Sequence, residues 1–444
     1  MIRNIQFDSQ RLGKLFLDFT KKDGTLYDVI ILAGENGCGK TTVLDSISYL
    51  FQKYSLRDIE CIAYDINNHF VELFNKNQGT ITIETFRADG ETGKRAIALN
   101  VIDGKDAEYN ICLKGFAYSK ARSGFKLDSI VSVSTKDIDA NNKDFDNDDY
   151  SDIKQLLVDI DTIDSRNFHL FSQSHPSLTG KEMNTEFDKV SRLSRFKSAF
   201  NSFFETIKFD KIGDPINNSF PILFTKHNKS IDINNLSTGE KQIVCRGGRL
   251  LKNVGKMDDA VVLIDEPELS LHPSWQRKVL DYYCDLFKKD NKQIAQLIIA
   301  THSEYVIESA LKKDNCLVII LKDNEGVIEA ERINAPDILG DISFSEINYK
   351  AFNIYSVDYH NALYSFYQQK IGTENSIERT DENIFKSKLF NNQKHLKMDT
   401  YKNSTYKTLP TYIRNAIHHP DSNRAYSYDE LKESTELLRK LCRI

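Results

Sequence analysis

Residues 29–42 read Val29-Ile30-Ile31-Leu32-Ala33-Gly34-Glu35-Asn36-Gly37-Cys38-Gly39-Lys40-Thr41-Thr42. The β-branched apolar run is the pattern of a strand buried on both faces. A glycine-rich loop follows at once, and a helix is expected from Thr41 on, running as Thr42–Tyr54. Gly34, Gly39, Lys40 and Thr41 fit the spacing G-x-x-x-x-G-K-[ST]. Glycines in such a loop let backbone N–H groups turn inward around phosphate oxygens. The new helix points its positive end at the same anion. Lys40 can reach the outer phosphates, and the Thr41 hydroxyl can hold Mg²⁺. Asn36, Gly37, Cys38 and Thr42 complete the expected cradle. A strand–turn–helix with chance glycines is the plain alternative, and the full spacing in strand–helix context argues against it.

Two later stretches extend the site. Val261-Val262-Leu263-Ile264-Asp265-Glu266-Pro267 is a buried strand ending in two carboxylates. Adjacent buried carboxylates are costly unless a metal or phosphate chemistry uses them. Asp265 is placed to accept Mg²⁺ waters, and Glu266 to orient or deprotonate the attacking water. Leu297-Ile298-Ile299-Ala300-Thr301-His302-Ser303 is another buried strand, ending in a lone histidine. Between the phosphate loop and these strands lies Leu236-Ser237-Thr238-Gly239-Glu240-Lys241-Gln242. Glu240 follows Ser237 by three residues, the spacing of a helix N-cap with its capping box. The same geometry makes an anion site from the helix end, the Ser237 hydroxyl and the Gly239 amide.

The order of these pieces resembles an ABC-type ATPase head. The resemblance implies that Ser237, Gly239 and Glu240 form the signature loop, which closes on the γ-phosphate bound by another subunit. It implies that His302 is the switch histidine contacting that phosphate, and that Glu268-Leu269-Ser270-Leu271-His272-Pro273 is the loop joining the two sites. That last stretch is similar to the soluble overcoming-lysogenization and RecF-like branch rather than to transporters. The glutamine that usually couples the lid to Mg²⁺ has only Gln155 and Gln173 as candidates.

The chain has 444 residues and 40% apolar content, enough for two or three domains with real cores. No apolar run approaches 20 residues, so no membrane span is expected. Seven cysteines without C-x-x-C spacing fit reduced thiols and a cytoplasmic location, not a structural zinc site. The net charge of −5 hides an asymmetry: residues 136–164 carry ten Asp against three Lys, and residues 386–414 carry six Lys and Arg414 against Asp399. Two oppositely charged segments suggest two surfaces with different partners.

The fold class expected is α/β: a P-loop NTPase head of ABC type with a β sub-sheet and helical lid, plus a C-terminal helical domain. The expected division is residues 1–135 for the first half of the head, 136–205 for an acidic loop and lid, 206–335 for the second half, and 336–444 for the helical domain. Leu15, Leu17 and Phe19 alternate with polar residues, as in a half-buried strand. Thr80–Phe86, Asn110–Tyr118 and Ser129–Ser134 are expected strands of the sub-sheet, separated by turns such as Asp89-Gly90 and Asp103-Gly104. Asp137–Asp152 reads as a mobile loop and Phe187–Phe204 as helical. The 194 residues between Thr41 and Leu236 hold no sustained heptads, which argues against a long coiled-coil arm. Further on, Tyr355, Tyr359, Leu363, Phe366 and Tyr367 fall on one helix face. Ser427 and Glu430 open a final helix with apolar Leu431, Leu438 and Leu441.

Near the end, Arg414-Asn415-Ala416-Ile417-His418-His419 fits R-x4-H with a polar second residue and resembles the HEPN ribonuclease motif. That resemblance implies that His419 activates a ribose 2′-OH and Arg414 stabilises the phosphate, with two protomers pairing. Nearby lysines and Tyr401, Tyr406 and Tyr412 would suit an RNA backbone with stacked bases. The alternative is a structural helix that serves as a docking platform.

Taken whole, the chain resembles the SMC-, RecF- and overcoming-lysogenization-like ATPases of bacterial antiphage defence, nearest to the Septu ATPase family, PtuA, with its retron-associated relatives. Leu236–Gln242, Leu263–Trp275, Ala300–Tyr305 and Tyr412–Pro420 carry the likeness. It implies ATP and Mg²⁺, a homodimer or higher oligomer, an HNH nuclease subunit as partner, and nucleic acid (DNA or tRNA) as a further one. It implies no membrane. No HNH spacing occurs in this chain, and no D-x-D pattern of a Toprim domain follows His302. Two other functions stay open: an ABC-gated HEPN ribonuclease acting alone, and a RecF- or SMC-like DNA-repair ATPase.

Overall fold

The computed structural model describes residues 1–53, 56–66, 69–77, 80–86, 92–98, 115–121, 151–215, 220–251, 259–290, 292–333, 337–341, 343–401, 404–419 and 424–444. They divide into two compact units, Met1–Arg332 and Ile333–Ile444.

The first unit opens with β1 (Ile2–Ser9), β2 (Gly13–Asp18), β3 (Val29–Ala33) and α1 (Lys40–Lys53). Next come β4 (Ile59–Ile66), β5 (His69–Asn77), β6 (Thr80–Phe86), β7 (Thr92–Ala98) and β8 (Phe116–Ser119). Six strands form a sub-sheet in the order β2-β1-β4-β5-β6-β7. Its antiparallel β1–β2 register sets Ile5 opposite Leu17 and Phe7 opposite Leu15. All four are buried, while Phe16 on the other face is 54% exposed. Two-residue alternation thus turns one face inward, as the sequence predicts.

Helices α2 (Ser151–Ser174), α3 (Gly180–Asp188) and α4 (Arg192–Phe203) follow, in the stretch expected to hold a lid. The expected helix over Phe187–Phe204 is two helices. Ser191 restarts the chain as N-cap of α4, its hydroxyl accepting the Ser194 N–H. Asp164 of α2 fixes the break by accepting from the Ser191 hydroxyl at 2.7 Å and the Leu193 N–H at 2.9 Å. The chain continues as β9 (Ile207–Ile212), β10 (Ile222–Lys226), β11 (Lys229–Asp232) and α5 (Thr238–Leu250). Then follow β12 (Ala260–Asp265), α6 (Pro273–Leu286), the short β13 (Lys288–Lys289) and β14 (Lys292–Gln293), β15 (Ala295–Thr301), α7 (Glu304–Leu311), β16 (Cys316–Asn324) and β17 (Val327–Ile333).

The central sheet runs β17-β16-β3-β15-β12-β8. β3 pairs in parallel with both β15 and β16, and β12 with both β15 and β8. Every residue of β3, β12 and β15 is buried, which explains the apolar runs Val29–Ala33, Ala260–Ile264 and Leu297–Ala300 within them. One expectation is corrected here. Phe116–Tyr118 was placed in the sub-sheet but belongs to the central sheet, with Val261 opposite Phe116 and Ile264 opposite Ser119. All four β8 residues are buried, so they fit a strand covered on both faces rather than a half-buried one. Residues 110–114, Ser129–Ser134, the two Gly turns and Asp137–Tyr150 of the acidic run lie outside the described residues.

The second unit is not wholly helical. It holds α8 (Phe344–Phe352), α9 (Val357–Lys370), α10 (Ile377–Lys386), α11 (Asn392–His395), β18 (Leu396–Tyr401), β19 (Ser404–Thr408), α12 (Leu409–His418) and α13 (Tyr428–Arg443). The β18–β19 hairpin falls in the polar, basic stretch, where Tyr406 and Thr408 of β19 and Asp399 of β18 turn inward. Asp381 of α10 anchors it, accepting the Lys407 and Thr408 N–H groups at 2.8 and 3.1 Å. Tyr359, Leu363 and Tyr367 of α9 pack with Leu437, Leu438 and Leu441 of α13. The Ser427–Glu430 capping box is present, whereas Tyr355 precedes the α9 N-cap, Ser356. The six described cysteines are free. Among the described residues no helix is long and apolar enough to cross a membrane.

Candidate functional site

The loop between β3 and α1 is shaped by its glycines. Gly34 has φ +142°, and a Cβ there would come within 2.2 Å of the Leu321 carbonyl oxygen, so no larger residue fits without moving the backbone. Lys40 is buried, and its ammonium donates to the Gly34 and Glu35 carbonyls at 2.9 and 2.8 Å. The Cys38 Sγ is 3.5 Å from it. Burial pulls the Lys40 pKa down, against the opposing pull of Cys38, Asp265 and Glu266. Glu35, Asn36, Gly37 and Thr41 are exposed, Thr42 and Gly39 half-buried, and Cys38 buried.

Parallel pairing brings the strand ends to this loop. The Thr41 hydroxyl donates to Asp265 Oδ2 at 3.1 Å. Burial raises the Asp265 carboxyl to about 6, against the Thr41 hydrogen bond and with help from Glu266. Two hard oxygen donors in contact, one a carboxylate that burial leaves short of compensating charge, fit a Mg²⁺ ion. Glu266 has φ +47°, a left-handed conformation that costs a glutamate ~1–3 kcal/mol. It is held there by its own N–H, donated to the Ala300 carbonyl at 2.9 Å. His302 Nε2 lies 3.8 Å from Glu266 Oε1. Burial first, then Lys40, pulls the histidine pKa down, while Glu266 and a hydrogen bond to the Gly34 backbone oppose this. Lys40, Thr41, Asp265, Glu266 and His302 are therefore one cluster, gathered where three parallel strands, β3, β12 and β15, end.

The second group is built on the start of α5. Ser237 caps α5: its hydroxyl accepts the Glu240 N–H, and Glu240 Oε2 accepts the Ser237 N–H at 2.7 Å. Glu240, grouped with the nucleotide contacts from its spacing, is spent inside its own chain. It is buried and pairs with the Lys226 ammonium at 2.7 Å, so it shapes the loop rather than facing a phosphate. Ser237 and Thr238 are exposed. A Cβ on Gly239 would stand 2.9 Å from the Ser270 carbonyl and 3.2 Å from the Trp275 ring. The capped loop thus sits directly on the segment after β12.

Neither proposed lid glutamine lies at a strand end. Both are on α2, where Gln155 donates to Asp159 at 2.7 Å and Gln173 contacts His169. The end of β8, next to Asp265, carries Ser119 and Lys120, and no glutamine occurs between Gln78 and Gln155. Two side chains that bond to the backbone of this cluster escaped the sequence reading. Arg246, 1% exposed, donates to the carbonyls of Asp265, Glu266 and Ala121, each at 2.9 Å. A lone arginine on the small and apolar stretch Ile243–Gly248 was its signal. Glu268 accepts the His302 N–H at 2.7 Å, and nothing in its spacing marked it.

In the second unit, Asn415 donates to Asp399 at 3.0 Å and Arg424 pairs with Asp399 at 2.8 Å. Arg414 donates to the Asn415 side chain at 3.2 Å. Burial and then the nearby Arg414 and His419 pull the His418 pKa down, which places the three side chains in one neighbourhood. Of the tyrosines expected to stack bases, Tyr406 is buried, and the Lys397 ammonium lies 4.3 Å from the Tyr412 ring centre. Lys386, Lys394 and Lys397 pair with Glu382, Glu433 and Glu430, so three of the six lysines of the basic run already face a carboxylate.

The sheet order and this cluster define a P-loop ATPase of the ABC type. The chain belongs to the family described as "AAA domain, putative AbiEii toxin, Type IV TA system", which matches residues 29–308. It is similar to Septu protein PtuA of Bacillus thuringiensis, 24% identical over 296 residues, 63% of this chain and 67% of that protein. A shorter similarity, 36% over 94 residues, links 19% of the chain to 16% of the "Retron Ec83 probable ATPase" of Escherichia coli. Among solved structures, the SMC head domain from Thermotoga maritima is 14% identical, with TM-score 0.36, over 75% of this chain and 98% of that one.

Proposed function

We propose that this chain is the ATP-hydrolysing subunit of an antiphage defence system, which dimerises around ATP and controls an associated HNH-type nuclease. The observation that carries the hydrolytic part is the joining of Lys40, Thr41, Asp265, Glu266 and His302 in one cluster. The likeness to the Septu protein supports the defence role and the nuclease partner. Gly34–Thr41 binds the ATP phosphates through backbone N–H groups and the Lys40 ammonium. Thr41 and Asp265 would hold Mg²⁺, which supplies positive charge against the phosphate oxygens. Glu266 orients the attacking water and takes its proton. His302 presents its neutral imidazole beside Glu266. The exposed Ser237, with the Gly239 amide next to it, binds the γ-phosphate held by a second subunit, and the positive end of α5 stands behind them.

Ser237→Arg is expected to leave ATP binding to its own phosphate loop intact and to block closure and hydrolysis, because the added side chain fills the partner's phosphate position. Equilibrium nucleotide binding beside phosphate release checks this. Turnover at the wild-type rate would remove the Ser237 loop from the site.

A second reading is favoured by the cluster of Arg414, His418 and His419: a metal-independent RNase site whose helices pair across a dimer axis. On that reading His419→Ala abolishes RNA cleavage, with 2′,3′-cyclic phosphate products lost, while ATPase activity stays near wild type. On the docking reading, which the bonding of Asn415 to Asp399 and the compensated lysines favour, the protein leaves total RNA intact in EDTA, with or without ATP. His419→Ala then costs stability or partner binding instead. Cleavage by purified protein that His419→Ala removes would reverse that ranking.

A further inference from the structure

Glu268 and Gln276 have no part in the chemistry above, yet both tie the histidine loop to the segment that follows β12. Glu268 Oε1 accepts the His302 N–H at 2.7 Å, and the Thr301 hydroxyl is a further donor to this carboxylate. The other oxygen, Oε2, is sealed from solvent and has no partner among the described residues. A second thread runs alongside. The Ser303 hydroxyl donates to Gln276 Oε1 at 2.7 Å, and Gln276 Nε2 donates to the Leu271 carbonyl at 3.0 Å. The segment Pro267–Leu271 is itself wound tightly, with the Leu271 N–H donated to the Glu268 carbonyl at 3.0 Å.

This arrangement is costly for a carboxylate. Burial raises its pKa, and the two donors only partly offset that. An apolar side chain would fill the space without the cost but would leave the His302 amide unbonded. What the carboxylate secures is the backbone that carries the imidazole. From there the ring reaches the Gly34 carbonyl and stands 3.8 Å from Glu266 Oε1. A misplacement of about 1 Å at such a group can cost ~10²-fold in rate.

We propose that Glu268 is the positioning residue that sets His302 against Glu266 and the Gly34 carbonyl. Through it the segment beneath the Ser237–Gly239 loop passes its own placement to the hydrolytic step. Gly239 packs on Ser270 of that segment, so a partner's phosphate seated on the Ser237 loop bears on a structure bonded to this subunit's own histidine. The inference rests on the assignment of Glu266 and His302 to hydrolysis.

The test is steady-state ATP turnover of the full chain, with melting temperature, for Glu268→Ala, Glu268→Gln, His302→Ala and the double variant Glu268→Ala/His302→Ala. Glu268→Ala is expected to lower kcat at least ~10-fold with KM for ATP within about twofold of wild type, since the phosphate loop is untouched. Glu268→Gln keeps the Oε1 acceptor and recovers most of kcat. The double variant is no slower than His302→Ala alone, because Glu268 acts through the histidine. Glu268→Gln as slow as Glu268→Ala would overturn the inference. So would additive losses in the double variant, or a raised KM with a lowered melting temperature. A slow His302→Ala beside a fast Glu268→Ala overturns it alone. His302→Ala at the wild-type rate overturns the histidine assignment and the inference with it.

Discussion

Glu266→Gln is expected to slow ATP hydrolysis roughly 10²–10⁴-fold, the span of a positioned general base, while ATP binding stays near wild type. The amide keeps the size of the side chain and loses the proton acceptor. The surroundings are built to hold this residue whatever its charge. Arg246 donates to the carbonyls of Asp265 and Glu266, and the Glu266 N–H is donated to Ala300. The left-handed backbone at position 266 therefore survives the substitution, and the loss falls on chemistry. ATP is then bound and not consumed, so the closed dimer accumulates. Phosphate release and size-exclusion chromatography with ATP measure the two effects. Normal turnover by Glu266→Gln would remove Glu266 from the catalytic role.

Lys40→Ala has the opposite signature. It removes the one ammonium of the loop, which is buried and donates to the Gly34 and Glu35 carbonyls. Charge-assisted bonds to the outer phosphates contribute about 1.5–3 kcal/mol each, so losing this group is expected to weaken ATP binding ~10²-fold. The ammonium is also one of the charges that pull the His302 pKa down. Any hydrolysis remaining at saturating ATP should therefore be slow as well. A nucleotide titration by calorimetry checks the affinity. Wild-type affinity in Lys40→Ala would contradict the placement of the phosphates at this loop.

The phosphate loop and the two carboxylates were legible in the sequence because their signals are local. Gly34 to Thr41 is a fixed spacing, and Val261–Ile264 is an unbroken apolar run because its strand is covered on both faces. The signature loop was legible for its shape and less so for its chemistry: the spacing of Ser237 and Glu240 specifies a capping box, and the capping box consumes Glu240. Long-range pairing was not legible. β8 is four residues long, and its place beside β12 joins residues about 145 positions apart. Arg246 reaches Ala121 across 125 positions and Glu268 reaches His302 across 34, distances over which no periodicity operates. In the second unit the lysine count was read as a free basic surface. Whether a lysine is free depends on what faces it, and Glu382, Glu430 and Glu433 face three of them.

Central to this account is that each hydrolytic site takes its phosphate loop from one subunit and its Ser237 loop from another. Mixing Lys40→Ala with Ser237→Arg tests this directly, with phosphate release from each variant alone and from the mixture. In a mixed pair the two lesions fall on the same site, and the other site keeps an intact Lys40 and an intact Ser237. The account predicts that each variant alone is nearly silent and that the mixture regains hydrolysis. A mixture as silent as its components, or full activity confined to monomers, would contradict it.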